Sequence, residues 1–133
     1  GFLSGPAVTT EQASDVEYAM RIAREISRLE IGQSVVVRSG TVLAVEAFEG
    51  TDECLKRGGE LAGKDGGAAA AKVAKTDHDF RFDIPCIGPQ TLETCAAAKI
   101  SVLAIEAGKT LVLEQQQVED LAKMHRISLV AVS

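Results

Sequence analysis

Aromatic side chains are scarce in this sequence: they make up 4% of residues, with four Phe, one Tyr and no Trp. The core must therefore be built from Val, Leu, Ile and Ala. The same shortage argues against a stacking platform for single-stranded nucleic acid, which needs exposed rings. Positive charge is short too. Lys and Arg number 14 against 19 Asp and Glu, a formal net charge of -5. A nucleic-acid partner held by phosphate neutralisation is disfavoured on that balance. A small phosphate ligand stays open, because a bound cation inverts the local charge. Cysteine is limited to Cys54, Cys86 and Cys95, an odd count without a CxxC pair. We read these as reduced thiols of a cytosolic protein rather than a disulfide framework. No Cys/His group has zinc-ligand spacing. No apolar run reaches the ~18 residues of a membrane-spanning helix. The opening Gly1-Phe2-Leu3-Ser4-Gly5-Pro6 has no basic region, no signal-peptide apolar stretch and no initiator Met. We take the chain as processed or as a piece of something longer.

What is present is an ordinary globular balance: 46% hydrophobic and 25% charged over 133 residues. That length is one domain, large enough to bury a core without disulfides or a structural metal. Residues 1–9 read as a flexible lead-in and 10–133 as the folded domain. Thr9 and Gln12 form a capping box for a helix over 10–29. The apolar stripe of that helix runs from Val16 to Leu29 and is wider than usual, so burial from two sides is expected, by this domain or by a partner. Residues 34–38 and 41–48 form a β-hairpin around Ser39-Gly40. A helix follows over 53–61, and the Gly- and Ala-rich residues 58–70 form a loop with a helix end. Strands are expected at 71–75 and 80–84, with Pro85 ending the latter. A helix over 90–99, strands at 101–105 and 111–113, a helix over 115–126 and a strand over 127–132 complete the chain. Strand–helix–strand order with continuous apolar strands implies buried parallel pairs. The fold class is α/β: one domain with a mixed β-sheet, an N-terminal β-hairpin and packed helices.

Two stretches carry candidate chemistry. In Glu46-Ala47-Phe48-Glu49-Gly50-Thr51-Asp52 a strand ends, a glycine turns and a helix starts. Helix N-termini present free N–H groups and partial positive charge, and Glu49 with Asp52 supplies oxygen ligands for a divalent cation. The plainer alternative makes Asp52 an N-cap. In Asp79-Phe80-Arg81-Phe82-Asp83 the charged residues share one strand face. Carboxylates there suit a metal and Arg81 suits phosphoryl oxygens; the alternative is an ion-pair ladder on a solvated edge. Lys72 and Lys75 lie on opposite faces of their strand, so one faces a site or both are surface lysines. Gly88 and Thr91 bracket a helix-opening turn that binds an anion or is simple punctuation. Gly58 to Asp65 nearly spells a P-loop. Asp65 replaces the needed Ser or Thr, and no strand precedes it, so we set it aside.

Several segments together carry a family resemblance. They are Arg28-Leu29-Glu30-Ile31-Gly32-Gln33-Ser34-Val35-Val36-Val37, Ala44-Val45-Glu46-Ala47-Phe48-Glu49-Gly50-Thr51-Asp52, Lys72-Val73-Ala74-Lys75, Asp79-Phe80-Arg81-Phe82-Asp83-Ile84-Pro85-Cys86-Ile87-Gly88-Pro89 with Thr91, and Val102-Leu103-Ala104-Ile105-Glu106-Ala107-Gly108. In order and spacing the chain from about residue 10 resembles the C-terminal domain of the LpxI-type UDP-2,3-diacylglucosamine pyrophosphatases. The resemblance implies a Mg²⁺-dependent cytoplasmic hydrolase of lipid A biosynthesis. Such an enzyme splits UDP-2,3-diacylglucosamine into UMP and 2,3-diacylglucosamine 1-phosphate. It implies a Rossmann-like N-terminal domain before this one, with the ligand between the two. It also implies at most peripheral contact with the inner face of the inner membrane, and homo-oligomer formation stays open. The key acid of the family falls on Asp52. We expect Asp52, Arg81 and Lys72 to be catalytic. Gly50, Thr51, Lys75, Gly88 and Thr91 are expected to bind substrate, and Asp52, Asp83 and Glu49 to hold Mg²⁺. Thr76 stands where the family commonly has Pro, a lost turn constraint. The alternative reading is a non-catalytic ligand-binding or self-association module, separated from its partner domain.

Overall fold

The computed structural model describes residues 1–75 and 84–133. The order of elements is β1 (Phe2–Ser4), α1 (Thr10–Arg28), β2 (Ser34–Arg38), β3 (Thr41–Val45), α2 (Thr51–Ala62) and β4 (Ala68–Lys72), then β5 (Cys86–Ile87), α3 (Pro89–Ala97), β6 (Ile100–Glu106), β7 (Leu111–Val112), α4 (Gln115–Met124) and β8 (Ser128–Val132). The capping box of α1 forms as expected. Thr9 Oγ1 accepts the Gln12 N–H at 3.1 Å, and the Thr9 N–H donates to Gln12 Oε1 at 2.9 Å. The β2–β3 hairpin turns through Ser39 and Gly40, whose φ angles of 49° and 76° suit the right-handed strand twist. Both amides at that turn donate to buried Asp15, at 2.9 and 2.8 Å, which ties the hairpin tip to α1.

The main sheet has the order β1-β8-β6-β4-β2-β3. β4, β6 and β8 run parallel, while β2 is antiparallel to both β4 and β3 and β1 is antiparallel to β8. The expected parallel pairs and the antiparallel hairpin are thus both present. Alternating side chains divide the core between two faces. Val35, Val37, Ala69, Ala71, Val102 and Ala104 pack under α1. Val36, Ala68, Ala70, Leu103 and Ile105 pack on the other face with residues of α2, α3 and α4. The result is a sheet between two helical layers. The wide stripe of α1 is met by this sheet: Val16, Ala19, Met20, Ala23 and Ile26 are buried, and Leu29 is the exposed C-cap.

The sequence reading needs several corrections. The strand expected over 71–75 is β4, which ends at Lys72 and begins at Ala68, within the alanine run expected as loop; it lies in the middle of the sheet and is buried on both faces. Alanine favours helix locally, but here its small size lets helices approach from both sides. Gly58 and Gly59 belong to α2, within the helix expected over 53–61. A Cβ on Gly58 would meet Val36 Cβ at 2.5 Å, and one on Gly59 would meet Ala98 O at 2.4 Å. Those two residues let α2 lie close on β2 and on the end of α3. Within the stretch expected as a lead-in, Phe2–Ser4 forms β1 along β8. β3 ends at Val45 rather than at residue 48. Cys86–Ile87, just past Pro85, pairs with Leu111–Val112 in a second small sheet. The strand expected over 80–84 lies, except for Ile84, outside the described residues.

Candidate functional site

Ligands of open α/β sheets bind outside the carboxyl ends of the parallel strands. At that edge β4 ends in Lys72 and β2 begins with Ser34, directly opposite it in register. Opposed residues share a face. Ala70 and Val36, two positions along each strand, place that face toward α2, α3 and α4. Ser34 is fully buried, and its Oγ donates to Thr51 Oγ1 at 3.1 Å. The start of β2 therefore holds the first turn of α2. From the same face Lys72 Nζ donates to the Cys86 carbonyl at 3.0 Å. That bond draws in β5 and, immediately after it, the Gly88-Pro89 opening of α3. Register and two side-chain bonds thus bring Gly50, Thr51, Asp52, Lys72, Gly88 and Thr91 to one edge and one face.

The N-cap of α2 is Gly50, with φ of 90° and no side chain to cap the helix. Asp52 is therefore a first-turn residue and not the N-cap. Its carboxylate is half-buried and has no hydrogen bond or ion pair among the described residues. It lies close enough to α3 to act on Cys95. Burial pushes that thiol up to about 12, and the Asp52 charge adds to the shift. A carboxylate oxygen is the hard donor that Mg²⁺ prefers, and the uncapped N–H groups beside Asp52 suit phosphate oxygens.

Other expected residues have different surroundings. Glu49 Oε1 accepts from Arg57 at 2.9 Å and from the Ala47 N–H at 3.1 Å. The Ala47 bond, followed by Arg57, holds that carboxyl below the usual carboxylate range. One of its oxygens is thus already shared between two donors. Thr91 Oγ1 accepts the Gly88 N–H at 3.3 Å, so this pair closes the start of α3 on itself. Lys75 is exposed beyond the end of β4, on the α1 side, and stands between two clefts of about 190 and 380 Å³. Lys72 and Lys75 do face different ways. Arg81 and Asp83 lie outside the described residues. Among the described residues, no three His, Cys, Asp or Glu side chains gather as a metal-binding group.

Two glutamates to which the sequence assigned no role, Glu46 of the first candidate stretch and Glu106, are buried at this edge. Glu46 is 8% exposed and accepts the Gln33 N–H at 3.1 Å. Glu106 is 7% exposed and accepts the Ala74 N–H at 2.7 Å, with Arg24 Nε 3.3 Å from its other oxygen. Their sequence signal is faint. Each is an acid at the end of an apolar strand, and acids are seldom buried unless paired.

Comparison with known proteins gives the geometry its context. A solved dCMP deaminase from the cyanophage S-TIM5 shares the fold, with a TM-score of 0.53, 14% identity, and coverage of 87% of this chain and 95% of the deaminase. At that identity the likeness speaks to the fold alone. The UDP-2,3-diacylglucosamine pyrophosphatase LpxI of Caulobacter vibrioides is 40% identical over 124 residues, which is 89% of this chain and 44% of that protein. The chain thus spans less than half the length of this relative. The profile of the LpxI C-terminal domain matches residues 1–130. On that match, which takes in β1 through most of β8, the chain belongs to the LpxI C-terminal domain family.

Proposed function

We propose that this chain is the catalytic C-terminal part of an enzyme that hydrolyses the pyrophosphate bond of UDP-2,3-diacylglucosamine. The products would be UMP and 2,3-diacylglucosamine 1-phosphate, in cytoplasmic lipid A biosynthesis. The observation that carries the reading is Asp52: a half-buried carboxylate without a partner among the described residues, at an uncapped helix start, in a member of the LpxI family. Pyrophosphate hydrolysis needs charge neutralisation, an aligned water and a stabilised leaving phosphate. The N–H groups at Thr51 and Asp52 and the Lys72 ammonium would bind phosphoryl oxygens. Asp52 would orient the water or hold Mg²⁺. When bound, Mg²⁺ would neutralise pyrophosphate charge. Arg81 and Asp83 belong to the same proposal by resemblance. Lys75 would bind substrate from the α1 side of the edge.

The rest of the substrate cleft would come from an N-terminal domain. Apolar side chains exposed around this edge support a covering partner: Phe48, 102% exposed beside the α2 start, Leu111 in β7 and Leu113 just after it. No helix among the described residues is long and apolar enough to cross a membrane. The test is UMP release from UDP-2,3-diacylglucosamine with Mg²⁺, by the complete protein and by the 133-residue chain alone. The complete protein should release UMP and the isolated chain should not. No UMP from the complete protein overturns the function. Release by the isolated chain overturns the need for a second domain.

A further inference from the structure

Beyond Lys72 the chain has left the sheet ladder, since the last β4–β6 register pair is Lys72 with Ile105. The next two residues are nevertheless held from several sides. The Val73 N–H donates to the Gln33 carbonyl at 2.9 Å, and Gln33 Nε2 donates to the Val73 carbonyl at 3.2 Å. Ser27 Oγ donates to the Ala74 carbonyl at 2.7 Å. The Ala74 N–H donates to Glu106 Oε1 at 2.7 Å. Glu106 is held in turn by Arg24, whose Nη2 also donates to the Ser133 carbonyl at 2.9 Å. A buried carboxylate needs such pairing to remain charged. An ionised acceptor makes a stronger bond to a backbone N–H than a neutral one. The clamp ends at Lys75, whose ammonium has no partner among the described residues.

We infer that Glu106 is a positioning residue. Braced by Arg24, it fixes the Ala74 amide and so aims Lys75 at the substrate from the α1 side of the edge. The inference rests on the proposed hydrolysis and adds to it a residue that never touches the substrate. A misplaced binding lysine weakens binding more than it slows chemistry, so the effect belongs in KM.

The test uses the complete protein. Glu106→Ala should raise KM about tenfold, the loss expected for one charge-assisted hydrogen bond, with kcat within about threefold. Glu106→Gln, which keeps an acceptor for Ala74, should restore most of the affinity. Added to Lys75→Ala, Glu106→Ala should raise KM little further, because both act through one group. Hydrogen exchange at the Ala74 amide should quicken in Glu106→Ala. Glu106→Asp, which keeps the charge but withdraws the acceptor, carries the same test should the alanine variant not fold. An unchanged KM, additive effects with Lys75→Ala, or an Ala74 amide that stays protected overturns the inference. An inactive Asp52→Asn beside a Glu106→Ala of wild-type KM overturns the inference alone. An undiminished Asp52→Asn overturns the role of Asp52 and leaves the KM test of Glu106 in force; no UMP from the complete wild-type protein overturns the function, and the Ala74 exchange then decides the inference by itself.

Discussion

Ser34 Oγ and Thr51 Oγ1 meet at 3.1 Å, and this contact ties the first residue of β2 to the first residue of α2. Ser34 also lies opposite Lys72 in the sheet. One buried hydroxyl thus relates the start of α2, where Asp52 sits, to the last residue of β4. Ser34→Ala leaves the Thr51 hydroxyl without this partner. We expect a loss of about 1–2 kcal/mol in urea denaturation, together with a fall in turnover. A variant that loses stability but turns over at the wild-type rate would detach Ser34 from the site.

The tight seat of α2 gives a second expectation. Gly→Ala in a helix interior normally gains about 1 kcal/mol from propensity. At Gly59 the added Cβ would stand 2.4 Å from the Ala98 carbonyl oxygen, a backbone atom that cannot rotate away. Gly59→Ala should therefore destabilise, by about 1–3 kcal/mol as overpacked cores do. A raised Tm would mean that α2 has room to shift away from α3.

The thiols predict a pattern of reactivity. Burial pushes both Cys54 and Cys95 up to about 12, whereas Cys86 is exposed. Iodoacetamide at pH 8 should label Cys86 in the native protein, and the other two only after unfolding; peptide mass spectrometry reads this out. The same shifts fix a sign for stability. In the unfolded chain these thiols ionise near pH 8.5, while the folded protein keeps them protonated up to about 12. Their contribution is therefore full below about pH 8.5 and is lost as pH rises toward 12. A midpoint of urea unfolding that is flat from pH 8 to 10 would count against this burial.

Much of the fold could be read from local signals. The capping box at Thr9, the positive-φ hairpin turn and the apolar strands around α4 each state their element within a few residues. The first half of β4 could not be read that way, although a strand was expected from Ala71. Ala68 to Ala71 carry helix propensity, and only close helices on both faces make their small size useful in a strand. β1 is three residues at a sheet edge, too short for a period to show. The site divides along the same line. Asp52 was visible in the sequence as a candidate, but whether it caps α2 was not; that depends on the helix starting one residue after Gly50. Glu106 was seen only as the residue after the strand expected at 101–105, in a segment quoted for the resemblance. Its role arises from Ala74 and Arg24, far away in sequence, and no local pattern announces a partnership of that kind.

Asp52 is where the account is most exposed to test. Asp52→Asn keeps the size of the side chain and removes the charge. UMP release with Mg²⁺ by the complete protein should fall on the order of 10²–10⁴-fold, the size of losing one acid–base or electrostatic group. Tm should hardly move, because no hydrogen bond or ion pair among the described residues depends on that carboxylate. Turnover near the wild-type rate in a folded Asp52→Asn protein would place the chemistry elsewhere.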